Sequence, residues 1–202
     1  MNRLLLVALL LVIIAGCGPS TRIEKTWRDP GTTVQEGSYN KVLVAALLRN
    51  ETTRRLVEDD LVRRLGGKGV ASYNYFTQSQ VTEEAVAAMQ QKLAAEGFDG
   101  AIIMRLVDVQ KEQTWVPSTN NFPPYYGRFG GFYYYSWNNF YNPGYYTTDR
   151  IYNVETNVYS IKRDKLIWSG LTSTVNPADA EKMFGEIADV VARKMRSEGF
   201  LR

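Results

Sequence analysis

The start of the chain constrains what the rest can fold into. An uninterrupted apolar run from Leu4 to Ile14 follows Arg3 and precedes the only cysteine, Cys17. A basic start, a short apolar core and small residues before a cleavage point are typical of a secretory signal peptide. The run is too short for a lasting transmembrane helix, which needs about 20 apolar residues. We therefore expect residues 1–16 to be removed and the fold to be built from the residues that follow.

Cys17 occupies the position of the acylated cysteine in a bacterial lipobox, directly after Ile14-Ala15-Gly16. The pattern predicts a diacylglycerol on the Cys17 thiol and a further acyl chain on its amine. Several acyl chains anchor a protein stably, since each buried methylene contributes about 0.8 kcal/mol. The alternative is an uncleaved hydrophobic anchor with an incidental cysteine. Gly18 follows Cys17 where Asp would favour retention at the inner membrane. We therefore predict a lipid anchor in the outer membrane of a bacterial envelope, with the protein facing the periplasm.

The composition excludes several classes of function. The chain has no histidine, which rules out Ser-His-Asp and Cys-His nucleophiles and removes the usual ligand of catalytic zinc. A single cysteine forms no intrachain disulfide, and acylation would leave no free thiol. The formal net charge of +3 is too small to imply a nucleic-acid partner. We predict no cofactor, no metal site and no nucleic-acid partner.

The pattern of apolar runs and glycines predicts an α/β (α+β) fold with a single mixed β-sheet and helices packed on it. Residues 17–39 are polar and rich in Pro and Gly, which indicates a lipidated tether. Residues 40–202 are predicted to form a single mixed α/β domain. Its expected element order is β-α-β-α-β, a long loop, and then β-β-α, in which strands separated by helices favour parallel pairing.

The first predicted helix begins after Asn50, a good N-cap residue. Four pairs of opposite charge follow at i,i+4 spacing, and we interpret them as a solvated helix surface rather than a docking face. These pairs are Arg54–Glu58, Arg55–Asp59, Asp59–Arg63 and Asp60–Arg64.

An aromatic segment at 117–147 is the unusual part of the chain. Eight Tyr, four Phe and one Trp lie among four Pro and four Gly, with one charged residue. The Pro and Gly spacing predicts a long loop, and loops of this length are usually functional or disordered. Together with neighbouring strand ends, it supplies the candidate partner-binding residues: Trp115, Tyr125, Tyr126, Arg128, Tyr133, Tyr134, Tyr135, Trp137, Tyr141, Tyr145 and Tyr146.

Three interpretations of this aromatic segment are open. It could bind a protein or a glycan, because Tyr and Trp combine flat apolar faces with a polar edge. It could face a membrane or join subunits. It could also simply cover the sheet in place of a missing core layer. Catalysis is the weakest interpretation, and it would need a carboxylate pair as in glycoside hydrolysis, drawn from Asp108, Glu112 and Glu155.

The order of short motifs resembles a family of small bacterial lipoproteins of unknown function. The resemblance implies no activity, cofactor or catalytic residue. At the level of fold, the element order is also similar to envelope lipoproteins such as the activators of penicillin-binding proteins and the curli secretion lipoprotein, and to the amino-terminal domain of TolB. The motifs are Thr26–Pro30, Lys41–Val44, Arg54-Arg55 with Glu58-Asp59, Ser72-Tyr73, Phe98–Gly100, the aromatic segment and Lys165–Gly170.

The sequence thus leads to a lipid-anchored, non-enzymatic protein of the cell envelope. It is expected to bind an envelope protein, or peptidoglycan or another glycan, through the aromatic segment. A structural subunit of an oligomeric envelope assembly, and hence a homo-oligomer, is the alternative.

Overall fold

In the computed structural model of the protein, the described residues are 20–35, 38–76, 83–116 and 145–201, with only the backbone of 83–86. The predicted signal peptide and Cys17 lie outside them. The chain divides into two compact units. The first comprises the residues up to Asp108 together with those from Tyr152 onward, and the second is Val109–Ile151. The sequence predicts a single domain over 40–202. The structure instead divides this range between residues 108 and 109 and between residues 151 and 152, and each division lies within a long strand.

The predicted mixed sheet with packed helices is confirmed. Six strands lie in the order β1-β6-β5-β4-β2-β3. Strand β2 pairs in parallel with β3 and β4, and β1 pairs antiparallel with β6. The elements are β1 Thr21–Arg28, β2 Val42–Leu47, α1 Glu51–Arg64, β3 Gly69–Ala71, a 3-10 turn Ser72–Asn74, α2 Glu83–Ala95, β4 Gly100–Val116, β5 Tyr145–Ser160, β6 Lys165–Val175 and α3 Ala180–Ser197.

Two apolar clusters form the core of the first unit. The larger one joins α1 and α3 to β2, β4, β5 and β6, and its fully buried side chains include Val57, Trp168 and Phe184. The smaller one joins Leu93 of α2 to Leu43 and to Phe98. Side chains of successive strand residues point to opposite faces. Leu43 and Val44 of β2 belong to different clusters, so the sheet is covered on both faces where β2 lies, as its continuous apolar run predicts.

The tether predicted at 17–39 is wrong for residues 21–28, which form the edge strand β1. Pairing with β6 runs from Thr21 opposite Thr174 to Arg28 opposite Trp168, with an irregularity between Ile23 and Lys25. A bulge of this kind inserts an unpaired residue and breaks the period-two alternation of side chains. The strand therefore carries no clear apolar pattern, although its backbone is fully part of the sheet.

Side-chain contacts set two further element boundaries. Strand β3 ends at Ala71, because the next residues turn to meet Glu58 of α1, which accepts hydrogen bonds from the Ser72 hydroxyl and the Tyr73 amide. Asp179 caps α3 by accepting from the Lys182 amide at 2.7 Å.

The charged face of α1 is only partly solvated. Arg64 and Asp60 pair as predicted, at 2.7 Å. Arg55 pairs instead with Glu51, and Asp59 accepts from the Tyr73 hydroxyl. The Arg54–Glu58 pair is buried, contrary to the expectation of a solvated surface.

Candidate functional site

An exposed aromatic cluster lies in the second unit, on the two strand segments that lead into and out of the aromatic segment. The rings of Trp115 and Tyr146 are in contact, with centroids 4.8 Å apart and planes inclined by 58°. The Thr147 hydroxyl donates to the Thr114 carbonyl at 3.3 Å beside this pair. Tyr145, the third residue, precedes Tyr146 on β5, so its side chain points to the opposite face of the strand. The aromatic cluster, as we call these three residues, is thus held by paired strand backbone rather than by a free loop.

Solvent reaches all three rings of the aromatic cluster. The exposed fractions are 44% for Trp115, 62% for Tyr145 and 67% for Tyr146. An inclined pair of aromatic rings is stabilised by about 0.5–1.5 kcal/mol beyond area burial, so the two side chains have a preferred geometry. The cluster therefore presents partly ordered apolar faces and phenol hydroxyls to a partner.

The structure brings only some of the sequence-predicted site residues together. Trp115 and Tyr146 are in ring contact, and Tyr145 and Tyr146 belong to β5 rather than to the predicted loop at 117–147, which is a correction of that boundary. The strand begins earlier than expected because Tyr and Thr suit a paired, half-exposed ribbon. The remaining candidates lie outside the described residues: Tyr125, Tyr126, Arg128, Tyr133, Tyr134, Tyr135, Trp137 and Tyr141.

The three carboxylates considered for catalysis have other surroundings. In the first unit, Glu155 is engaged by Arg105 and Asp108 accepts from the Asn153 amide at 2.7 Å. Glu112 is an exposed residue of the second unit. A glycosidase needs one carboxyl group held protonated and a second placed across the bond to be cleaved. The partners of Glu155 and Asp108 are those of ordinary surface side chains.

The described residues, 20–35, 38–76, 83–116 and 145–201, contain neither a metal-binding cluster nor a membrane-spanning helix. Within those ranges, no group of three or more His, Cys, Asp or Glu side chains could hold a metal ion. Likewise, no described helix is long and apolar enough to cross a membrane.

A second feature, which no sequence pattern indicates, is a cavity of about 890 Å³ in the first unit. It lies between the C-terminal halves of α1 and α3 and the sheet beneath them. Ala188 and Ala192 of α3 are among its small lining residues. Its lining comes from segments far apart in the chain, and only folding brings them together.

No protein-family model and no curated protein sequence matches the chain. Among solved structures, it is similar to PelC, a dodecamer from Paraburkholderia phytofirmans, at a TM-score of 0.42 and 9% identity, over 90% of this chain and 99% of the other. It is also similar to the lipoprotein GNA1162 from Neisseria meningitidis, at a TM-score of 0.39 and 10% identity, over 78% of this chain and 98% of the other. A minor lipoprotein from Acinetobacter baumannii is similar at a TM-score of 0.28 and 8% identity, over 80% of this chain and 93% of the other. The solved chains that this protein resembles thus include bacterial lipoproteins, and nothing about partners or assembly is transferred from them.

Proposed function

We propose that the protein is a lipid-anchored, non-enzymatic component of the bacterial cell envelope that binds a glycan or a protein through the aromatic cluster. One observation carries the proposal: the exposed rings of Trp115 and Tyr146 are in contact on neighbouring strands, with the exposed Tyr145 next to Tyr146 in the chain. These strands lead into a segment with the richest aromatic composition in the chain.

The chemistry of the aromatic cluster suits binding better than catalysis. Flat Trp and Tyr faces stack on the C–H faces of sugar rings or pack against apolar side chains, while phenol hydroxyls donate and accept hydrogen bonds. Trp and Tyr are also the residue types that most often carry binding energy at protein interfaces. The absence of histidine from the sequence, together with the predicted acylation of Cys17, leaves few nucleophiles or general bases.

The anchor is supported by the lipobox around Cys17 and has its own test. In cells fed an alkyne-labelled palmitate, the wild-type chain should incorporate label and Cys17→Ser should not. Membrane fractionation should then place the wild-type chain with the outer membrane. Labelling that persists in Cys17→Ser would refute acylation at this residue.

Binding is tested by removing the aromatic cluster in the full chain. The triple variant Trp115→Ala/Tyr145→Ala/Tyr146→Ala is compared with Trp27→Ala, which removes a ring of similar exposure, 48%, from β1 in the first unit. Retention on purified peptidoglycan sacculi should fall roughly tenfold or more in the triple variant and stay unchanged in the control, since each buried aromatic anchor contributes on the order of 1–2 kcal/mol.

A protein partner is distinguished from a glycan by photo-crosslinking in cells. A photoreactive residue at position 145 should capture a defined partner that the same residue at position 27 does not capture. Sacculi retention that depends on the cluster identifies a glycan, and crosslinking that depends on position 145 identifies a protein. If the triple variant behaves as the wild type in both assays, the proposal is wrong.

A structural subunit of an oligomeric assembly is the second candidate, because β4 exposes consecutive apolar residues. Leu106 and Val107 of the first unit are 37% and 46% exposed, and as successive strand residues they point to opposite faces. Apolar side chains exposed on both faces of a strand favour cover by another chain. Analytical ultracentrifugation of the chain in nanodiscs tests this candidate, and a strict monomer over a wide concentration range would exclude it.

A further inference from the structure

The cavity of the first unit has the walls of a ligand site. Its volume of about 890 Å³ lies within the range of roughly 300–1,000 Å³ that small-molecule pockets occupy. The floor is formed by β2, β4, β5 and β6, and the sides by α1, α3 and the chain end around Phe200. Most of the lining is aliphatic, and its half-buried side chains include Leu65, Ile102 and Val158. Such an interior suits a hydrocarbon chain.

The rim of this cavity has the opposite character. Four cationic side chains border it, Arg64, Lys68, Arg193 and Arg196, with one acidic residue, Asp189. The Asp189 carboxylate forms an ion pair with Arg64, at a distance of 2.8 Å. The other three cations make no ion pair with any residue that the structure describes. We call Lys68, Arg193 and Arg196 the cationic rim, because their charges are uncompensated beside an apolar interior.

We propose that the cavity binds a single-chain anionic amphiphile. Its hydrocarbon chain would lie among the aliphatic lining, and its carboxylate or phosphate headgroup would bind the cationic rim. Apolar burial contributes affinity and the charges select the headgroup, since charge-assisted hydrogen bonds to Arg and Lys favour anions over neutral groups of equal size. The site lies entirely in the first unit and does not depend on the function proposed for the aromatic cluster.

The test uses the full chain in nanodiscs of zwitterionic phosphatidylcholine and a photoreactive palmitate with a diazirine near its methyl end. After irradiation, label should map to the peptides of α3 and β5 that line the cavity. Unlabelled palmitate and hexadecyl phosphate should both displace it, which tests carboxylate and phosphate headgroups separately. Hexadecanol, neutral and equally long, should compete roughly tenfold less well, the effect of about 1.4 kcal/mol.

Two variants test the two halves of the site. Lys68→Gln/Arg193→Gln/Arg196→Gln should weaken labelling roughly tenfold. The matched control Arg22→Gln/Lys162→Gln/Lys182→Gln removes the same charge from exposed positions off the rim and should leave labelling unchanged. Ala192→Trp fills the cavity and should abolish labelling, with folding confirmed by circular dichroism. If Ala192→Trp does not fold, the rim variant by itself still tests the proposal.

Several outcomes would overturn the proposal. Label confined to the N-terminal anchor region, equal competition by hexadecanol, or full labelling of the rim variant would each do so. Labelling that rises severalfold in Cys17→Ser would show that the cavity holds the chain's own acyl group instead of a free amphiphile, and would likewise refute it.

Discussion

Arg54 and Glu58 form an ion pair one turn apart on α1, with 3.0 Å between Nε and Oε1, and neither side chain is more than 6% exposed. Glu58 also accepts from the Ala46 amide at 3.0 Å, the Ser72 hydroxyl at 2.7 Å and the Tyr73 amide at 3.0 Å. One carboxylate therefore joins α1 to β2 and to the turn after β3. A buried ion pair is tolerated when further hydrogen bonds satisfy its remaining donors and acceptors, and this pair meets that condition.

Replacing Glu58 by Gln should destabilise the protein strongly. The change removes the buried negative charge and leaves the exposed Glu51 as the carboxylate that binds Arg54 among the described residues, and a broken buried pair costs about 3–5 kcal/mol. Urea denaturation followed by circular dichroism measures the change in the free energy of unfolding.

Glu51→Gln is the matched control for this prediction. Glu51 also binds Arg54, at 3.4 Å, but its own side chain is 42% exposed. Exposed pairs contribute about 0–1 kcal/mol, so the control should change stability by less than that. Equal effects of the two substitutions would contradict a special role for the buried pair.

These residues show why the sequence could predict α1 but not which of its charges are buried. The Asn50 cap and the spacing of Val57 and Leu61 indicate the helix, and the structure confirms both. Arg54–Glu58 and Asp60–Arg64 share the same i,i+4 spacing of opposite charges, yet only the second pair lies at the surface. Burial depends on β2 and on the turn after β3, which contact α1 only in the folded chain.

The same reasoning separates what could be predicted at the candidate sites from what could not. Aromatic composition identified Trp115, Tyr145 and Tyr146 without any structure. The cationic rim had no local signal, because Lys68 lies in a loop and Arg193 and Arg196 lie on the last helix. The sequence does not predict the edge strand β1, because the bulge near Ile23 interrupts the alternation of apolar and polar residues. Contacts set by tertiary structure leave no mark on a local pattern.

Gly170→Ala should disturb the buried indole of Trp168. A β-carbon at this position would collide with the indole ring, which packs directly over the glycine. Trp168 is fully buried, so it cannot move aside without disturbing the core. Overpacking of this kind costs about 1–3 kcal/mol. Thermal unfolding monitored by tryptophan fluorescence measures it.

Gly31→Ala is the control for Gly170→Ala. A β-carbon at Gly31 would meet no atom of the described residues within 4 Å, so stability should be nearly unchanged. A fully stable Gly170→Ala protein would show that β6 can shift enough to accept the methyl group.

Glu198 makes the stability of the α3 end depend on pH. Burial pushes the pKa of Glu198 upward, but hydrogen bonds from Thr26, Trp168 and Lys194 outweigh it and leave the pKa below its ordinary value of 4.5. Between the lowered pKa and the ordinary value, the folded chain therefore binds fewer protons than the unfolded chain. The stabilisation is complete above the ordinary value and is lost as the pH falls through the lowered pKa.

The Glu198→Gln variant tests this dependence. At neutral pH it should be less stable than the wild type by about 1–3 kcal/mol, because hydrogen bonds to a charged acceptor are lost. The difference should shrink as the pH falls below 4.5, the ordinary value for glutamate. Urea denaturation over a pH series measures it, with Glu181→Gln on the exposed first turn of α3 as control. A difference that does not change with pH would contradict the linkage.

Strand β1 should resist proteolysis, although the sequence of this region reads as a tether. Trypsin cleaves after Lys25 and Arg28, and both residues lie in backbone paired with β6. Two side-chain contacts hold this strand in addition: the Thr26 hydroxyl donates to Glu198 at 2.6 Å, and the Arg28 guanidinium donates to the Glu198 carbonyl. Cleavage requires local opening of the strand, so in the native chain it should be at least roughly tenfold slower than in the same chain unfolded in urea. Glu198→Ala should bring the two rates closer, and mass spectrometry of the fragments measures both. Cleavage of the native chain at the unfolded rate would show that residues 21–28 are a tether after all.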